Sequence, residues 1–187
     1  MILFMNIANI LTVFRILLVP VFVFFTLIGP ENPLYFGISL FIFVVASLTD
    51  AIDGKVARKY DLVTNFGKFM DPLADKILIT AALACLLNLH LIDVLVVIII
   101  LSREFLVTSL RLIASSNGKV IAANFFGKLK TVSQIFAIIS CLIFAIWPFF
   151  DALFWIYQIL MVFSTAITVI SGAIYLIQNR NFLIDAK

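Results

Sequence analysis

The chain is built of long apolar blocks separated by short polar breaks. Six blocks stand out, over residues 10–29, 34–54, 72–89, 92–114, 128–148 and 152–177. A helix needs about 20 apolar residues to cross the hydrocarbon core of a bilayer. The pattern therefore predicts an all-α, polytopic membrane protein, with six transmembrane helices in one domain over residues 1–187. The breaks have local causes. Gly29-Pro30-Glu31-Asn32-Pro33 ends the first block because neither proline continues a helix comfortably. Asn88-Leu89-His90-Leu91-Ile92-Asp93 divides the third block from the fourth. Trp147-Pro148-Phe149-Phe150-Asp151 divides the fifth from the sixth, with Trp147 and Trp155 placed as interface anchors.

Composition agrees with the pattern. Of 187 residues 64% are hydrophobic and 12% charged, and the mean hydropathy is +1.22. Soluble domains are about half apolar and a quarter charged, so a soluble fold is excluded. No small-residue cleavage site follows the first block, and no Lys or Arg precedes Arg15, which argues against a removed signal peptide. Cys85 and Cys141 fall inside apolar blocks and read as small core residues, not as a disulfide framework.

Charge gives the orientation. The three breaks named above carry Glu31, His90, Asp93 and Asp151, while the thirteen Lys and Arg residues lie elsewhere. By the positive-inside rule both termini and the 55–71 and 115–128 loops face the cytoplasm. The same side is rich in acids, since five of the ten carboxylates fall between Asp50 and Asp75.

Those acids are regularly spaced. Asp50 and Asp53 stand i, i+3 and share a helix face, and Asp71 and Asp75 stand i, i+4 on the next helix. Counting from Leu34, Asp50 lies roughly 24 Å across the bilayer at 1.5 Å per residue, near its inner edge. Asp71 and Asp75 open the following block at that edge. Four carboxylates gathered there repel one another and cost several kcal/mol each to desolvate, which divalent cations relieve. Hard oxygen ligands suit Mg²⁺ or Mn²⁺. Two such ions about 4 Å apart clamp both oxygens of an in-line phosphoryl displacement.

Plainer readings stand beside this one. Asp71 before Pro72 also reads as a helix N-cap followed by a first-turn proline. Asp53 also reads as a partner of Lys55 or Arg58. Asp75, one turn inside an apolar helix, has no such alternative. Gly54 and Ala57 serve either close ligand approach or helix packing, and Arg58 either phosphate binding or snorkelling.

Asp50-x2-Asp53-Gly54-x2-Ala57-Arg58-x8-Gly67-x3-Asp71-x3-Asp75 resembles, at every fixed position, the signature of the CDP-alcohol phosphatidyltransferases. The resemblance implies a six-helix fold, usually homodimeric, with an active site open to the cytoplasmic leaflet. It implies Asp50, Asp53 and Asp71 as metal ligands, and Asp75 as general base that also touches a second metal. Asp53, Gly54, Ala57, Arg58 and Gly67 would frame the CDP group.

The acceptor alcohol must be chosen by the rest of the chain. Arg103 and Glu104 lie about twelve residues into the fourth block, and ionisable residues at such depth are functional candidates. With Arg111, Lys128 and Lys130 they form either a pocket for an anionic acceptor, guanidinium forks on a phosphate, or a structural network with basic residues at the cytoplasmic edge. Ser102-Arg103-Glu104-Phe105, Leu110-Arg111-Leu112, Gly127-Lys128-Leu129-Lys130-Thr131, Asp71-Pro72-Leu73-Ala74-Asp75-Lys76 and Ser171-Gly172-Ala173-Ile174-Tyr175 look like the branch of the family that makes phosphatidylglycerophosphate. So does Asn6-Ile7-Ala8-Asn9-Ile10-Leu11-Thr12-Val13-Phe14-Arg15, except that the branch usually has proline where Ala8 stands. The implied reaction joins CDP-diacylglycerol and sn-glycerol 3-phosphate, in a bacterial cytoplasmic membrane and with no nucleic acid partner. Phosphatidylglycerol (a cardiolipin synthase), inositol phosphate and serine are alternative acceptors. A divalent-cation carrier would place acids near the midplane and on the outer half, and a structural subunit leaves Asp75 and Arg103 unexplained.

Overall fold

A computed structural model describes residues 7–59, 65–116 and 125–179, with no strand among them. They form six helices: α1 (Ile7–Leu27), α2 (Pro33–Lys59), α3 (Asn65–Asn88), α4 (Val94–Ser116), α5 (Phe125–Ile146) and α6 (Asp151–Gln178). Three stretches are long and apolar enough to cross a membrane: Ile10–Glu31, Phe125–Ile146 and Asp151–Gln178. α4 is of similar length but carries Arg103, Glu104 and Arg111.

The breaks are closed by their own side chains. Gly29–Glu31 forms a 3₁₀ turn after α1. A Cβ on Gly29 would lie 2.3 Å from the Phe36 ring, so only glycine fits against that side chain. Asn32 then caps α2, its Oδ1 accepting from Leu34 N–H at 2.9 Å, with Pro33 in the first helical position. α3 ends where His90 takes a φ of 57°; His90 N–H donates to Leu87 O and Leu91 N–H to Leu86 O, the paired bonds of a left-handed cap. Asp93 Oδ1 accepts from Leu95 N–H at 2.7 Å and starts α4.

α5 and α6 pack as an antiparallel hairpin, α1 lies against α2 and α3, α2 also meets α5, and α4 leans on α6. The core runs through all six helices, from Phe22 and Phe43 through Leu83, Leu86 and Ile100 to Leu142 and Met161. Cys85 and Cys141 are buried free thiols, Cys141 within this core. Ala46, Ala82 and Ala137 are fully buried at the contacts. In lipid, such small residues hold helices together by letting them approach closely, since tails are as apolar as the side chains they would replace. Outward-facing Leu17, Phe41, Phe105, Phe136 and Val162 are exposed, as a lipid-facing surface requires.

Two expectations need correction. Most of the 55–71 stretch read as a loop is helical, because α2 continues to Lys59 and α3 starts at Asn65. Hydropathy marks the part of a helix that suits hydrocarbon, and the polar turns beyond it are invisible to that measure. α2 has 27 residues, about 40 Å at 1.5 Å per residue against a core of about 30 Å. For the same reason Asp71-Pro72 does not begin a helix. It lies almost two turns inside α3, so the N-cap reading fails. A proline there has no N–H to return to the preceding turn.

Candidate active site

The aspartate signature is carried by two helices. Asp50, Asp53, Gly54, Ala57 and Arg58 all lie on the C-terminal part of α2, and Gly67, Asp71 and Asp75 on the N-terminal part of α3. Their backbones are helical, so the i, i+3 and i, i+4 spacings do place each pair on one face. The side chains of these eight residues lie outside the described part of the structure. α2 and α3 touch each other, and the short connection between them puts the end of one beside the start of the other.

The second half of the site is described in atomic detail and joins four helices. Glu104 of α4 is its centre. Its Oε1 accepts from Lys130 Nζ of α5, and from Arg103 Nη1 at 3.3 Å. Arg103 also reaches α6, where Nη2 donates to Ser171 Oγ at 2.7 Å. Two turns further along α4, Arg111 Nε donates to Tyr175 Oη at 2.9 Å, and its guanidinium carbon lies 5.5 Å from the centre of the Tyr175 ring. Lys76 of α3 donates to Thr108 Oγ1, which itself donates to Glu104 O at 2.8 Å. A small cavity of about 30 Å³ opens beside this group, lined by Lys76, Thr80, Glu104, Lys130, Thr131 and Gln134. It has room for water.

Local sequence explains why these side chains meet. Ser171 and Tyr175 are one helical turn apart on α6, and both are buried. Arg103 and Arg111 are eight residues apart on α4, about 12 Å along the helix. Both arginines therefore lean on one face of α6. Gly172 makes the lean feasible: a Cβ there would come within 3.1 Å of Arg103 Cγ. Below the charged layer, Gln134 Nε2 donates to Thr168 Oγ1 at 3.3 Å and ties α5 to α6.

Charge in this layer is unequal. Among the described residues this layer holds four cations, Lys76, Arg103, Arg111 and Lys130, and one carboxylate, Glu104, which Arg103 and Lys130 bond. Lys130 is buried, Lys76 and Arg103 are half-buried and Arg111 is exposed, and cations in such excess favour an anionic visitor. Arg111 is exposed and donates Nε to Tyr175; a guanidinium can grip a phosphate or carboxylate with two bonds. Arg103 has Nε buried with no partner. Of the four cations expected at an acceptor pocket, Arg103 and Lys130 thus converge on one carboxylate, and Arg111 stands beside them on Tyr175. Lys128 is exposed at the start of α5.

Sequence spacing did not single out Ser171, Gly172, Tyr175, Thr108 or Lys76 as site residues. A polar i, i+4 pair on an otherwise apolar helix was the available signal for Ser171 and Tyr175. Thr108 gave none, since a threonine bonded to the carbonyl one turn back is ordinary in an apolar helix.

Comparison with known proteins agrees with the signature. The chain is 40% identical over 190 residues to the CDP-diacylglycerol–glycerol-3-phosphate 3-phosphatidyltransferase of Bacillus subtilis, covering 93% of this chain and 95% of that protein. It is 41% identical over 133 residues to the enzyme of the same name from Rickettsia typhi, covering 71% and 74%. It is 44% identical over 134 residues to a probable phosphatidylglycerophosphate synthase of Mycobacterium tuberculosis strain H37Rv, covering 71% and 64%. The family profile described as CDP-alcohol phosphatidyltransferase matches residues 5–170. The chain belongs to the CDP-alcohol phosphatidyltransferase family.

Proposed function

We propose that this membrane protein transfers the phosphatidyl group of CDP-diacylglycerol to sn-glycerol 3-phosphate, giving phosphatidylglycerophosphate and CMP. The observation that carries the reading is the 40% identity to the Bacillus subtilis enzyme of that name along nearly the whole of both chains. The cluster of cations on α4, α5 and α3 supports it, because an acceptor bearing a phosphate suits that charge and an uncharged alcohol does not.

Members of the family depend on divalent metal ions. Here Asp50, Asp53, Asp71 and Asp75 would hold them, as a pair of Mg²⁺ or Mn²⁺ ions, and hard carboxylate oxygens fit that role. Bound there, the ions would offset the charge of the donor diphosphate and of departing CMP. Asp53, Gly54, Ala57, Arg58 and Gly67 would receive the CDP group, the helical glycine and alanine leaving room along α2 for close approach. Asp75 would take the proton from the attacking hydroxyl. Arg103, Arg111 and Lys130 would bind the acceptor phosphate, with Lys128 at the rim adding attraction from a distance. Both termini and the site would face the cytoplasm, with all six helices crossing the membrane and two copies forming a homodimer.

The test is direct. Purified protein receives Mn²⁺ or Mg²⁺, CDP-diacylglycerol and one alcohol at a time, and CMP release is followed. Turnover with glycerol 3-phosphate is expected. Turnover only with phosphatidylglycerol, inositol phosphate or serine would reassign the acceptor, and absence of CMP with every alcohol would remove the transferase reading.

A further inference from the structure

One strongly polar residue on α1 has no part in the scheme above. Arg15 is 0% exposed and heads the fully buried side chains by volume among the described residues, and Thr12, one turn earlier, is also 0% exposed. A fully buried arginine is rare unless an anion answers it, because its guanidinium stays charged at any ordinary pH. The helix that carries it packs on α2 and α3, the two helices that bear the four aspartates.

Register says what Arg15 meets. The buried positions of α1 run Thr12, Arg15, Val19, Phe22, Thr26, alternating steps of three and four. On α2 the buried positions Phe36, Ser39, Phe43 and Ala46 follow the same alternation, with Ile42 buried beside them. This is the seam of two helices packed side by side. Two contacts fix the alignment: Thr26 Oγ1 hydrogen-bonds Ser39 Oγ, and the Phe22 and Phe43 rings lie 5.7 Å apart. Each step back along α1 is matched by a step forward along α2. Seven residues back from Phe22 is Arg15, and seven forward from Phe43 is Asp50. Three more bring Thr12 level with Asp53. The next two positions of the α2 seam after Ala46, by the same alternation, are residues 50 and 53.

We propose that Arg15 is the fixed counter-charge of the donor site. Its guanidinium answers the carboxylates that α2 brings to the level of Asp50 and Asp53, and keeps them together before any metal ion binds. Asp50, Asp53, Asp71 and Asp75 fall on facing ends of α2 and α3, and their mutual repulsion opposes that packing unless a cation lies between the helices. Arg15 is thus a positioning residue acting through the aspartates. The inference rests on the reading of those aspartates as the donor site.

A double-mutant cycle on the full chain, purified in detergent without divalent metal, tests it. Thermal unfolding is measured for wild type, R15Q, D50N and R15Q/D50N. Breaking a buried pair from the cationic side leaves an unanswered charge, so R15Q is expected to lower Tm by about 10 °C in the wild-type background. In the D50N background the loss should be less than half of that, because the charge it answered is gone. Equal losses in both backgrounds would mean that Arg15 merely fills space, and would overturn the proposal. Should R15Q fail to fold, a folded R15Q/D50N supports the pairing, and an unfolded R15Q/D50N beside a folded D50N overturns it. R15K, which keeps the charge, should recover part of the Tm. CMP release by wild type tests the reaction, and the thermal coupling tests the counter-charge, so each can fail alone.

Discussion

The two halves of the site are built in opposite ways. The proposed donor half lies on α2 and α3, consecutive helices joined by a short connection, and its four aspartates fall within 26 residues of sequence. The proposed acceptor half draws Arg103 and Arg111 from α4, Lys130 from α5, Lys76 from α3, and Ser171 and Tyr175 from α6. Its defining bonds join residues 68 and 64 positions apart. A local site keeps its geometry wherever its two helices form. A dispersed one exists only if α4 leans on α6 and α5 at the right height, so small packing changes should reach it first.

That contrast can be broken by substitution. The largest effect belongs to the donor half: Asp75→Asn should reduce CMP release by about 10²–10⁴-fold, the range for loss of a general base, with Tm within a few degrees of wild type. An active Asp75→Asn protein would refute the base role. Next is Arg103→Ala. Removing a charged hydrogen bond costs about 1.5–3 kcal/mol, so the KM for glycerol 3-phosphate should rise roughly 10–100-fold, with the KM for CDP-diacylglycerol little changed. An equal rise in both would merge the two halves into one.

Smaller changes test the supports. Tyr175→Phe removes the oxygen that holds Arg111 Nε at 2.9 Å but keeps the ring under the guanidinium. A net hydrogen bond of about 1 kcal/mol predicts roughly a five-fold rise in acceptor KM, short of the effect of Arg111→Ala. Gly172→Ala should act similarly or more weakly, since Arg103 Cγ has only a few tenths of an ångström to yield. A Gly172→Ala enzyme with a changed donor KM would show that α6 serves both halves. Lys128→Ala should be smallest, within about two-fold, because an exposed charge at the rim is screened and worth little.

Legibility followed the same division. The six helices and the aspartate spacing were readable because both depend on neighbours in sequence: hydropathy over about 20 residues, and faces set by 3.6 residues per turn. The misreadings were also local in cause. Asp71-Pro72 carries the signature of a helix start, yet α3 begins at Asn65, since a preference of about 1 kcal/mol at a cap yields to helix continued beyond the lipid. Lys128 and Lys130 look alike on paper, two residues apart, but one is exposed and the other is buried against Glu104. Only the facing of α5 toward α4 separates them.

By itself the sequence determined the membrane class, the succession of helices and the spacing that puts carboxylates in pairs on α2 and α3. Tertiary structure alone decided that Ser171 and Tyr175 hold the arginines of α4, that Glu104 gathers Arg103 and Lys130, and that Arg15 is fully buried in α1. The physical reason is reach. Helical periodicity fixes which residues share a face, but the height and rotation of one helix against another come from packing across the whole bundle. Charges on different helices meet, or miss, by that packing.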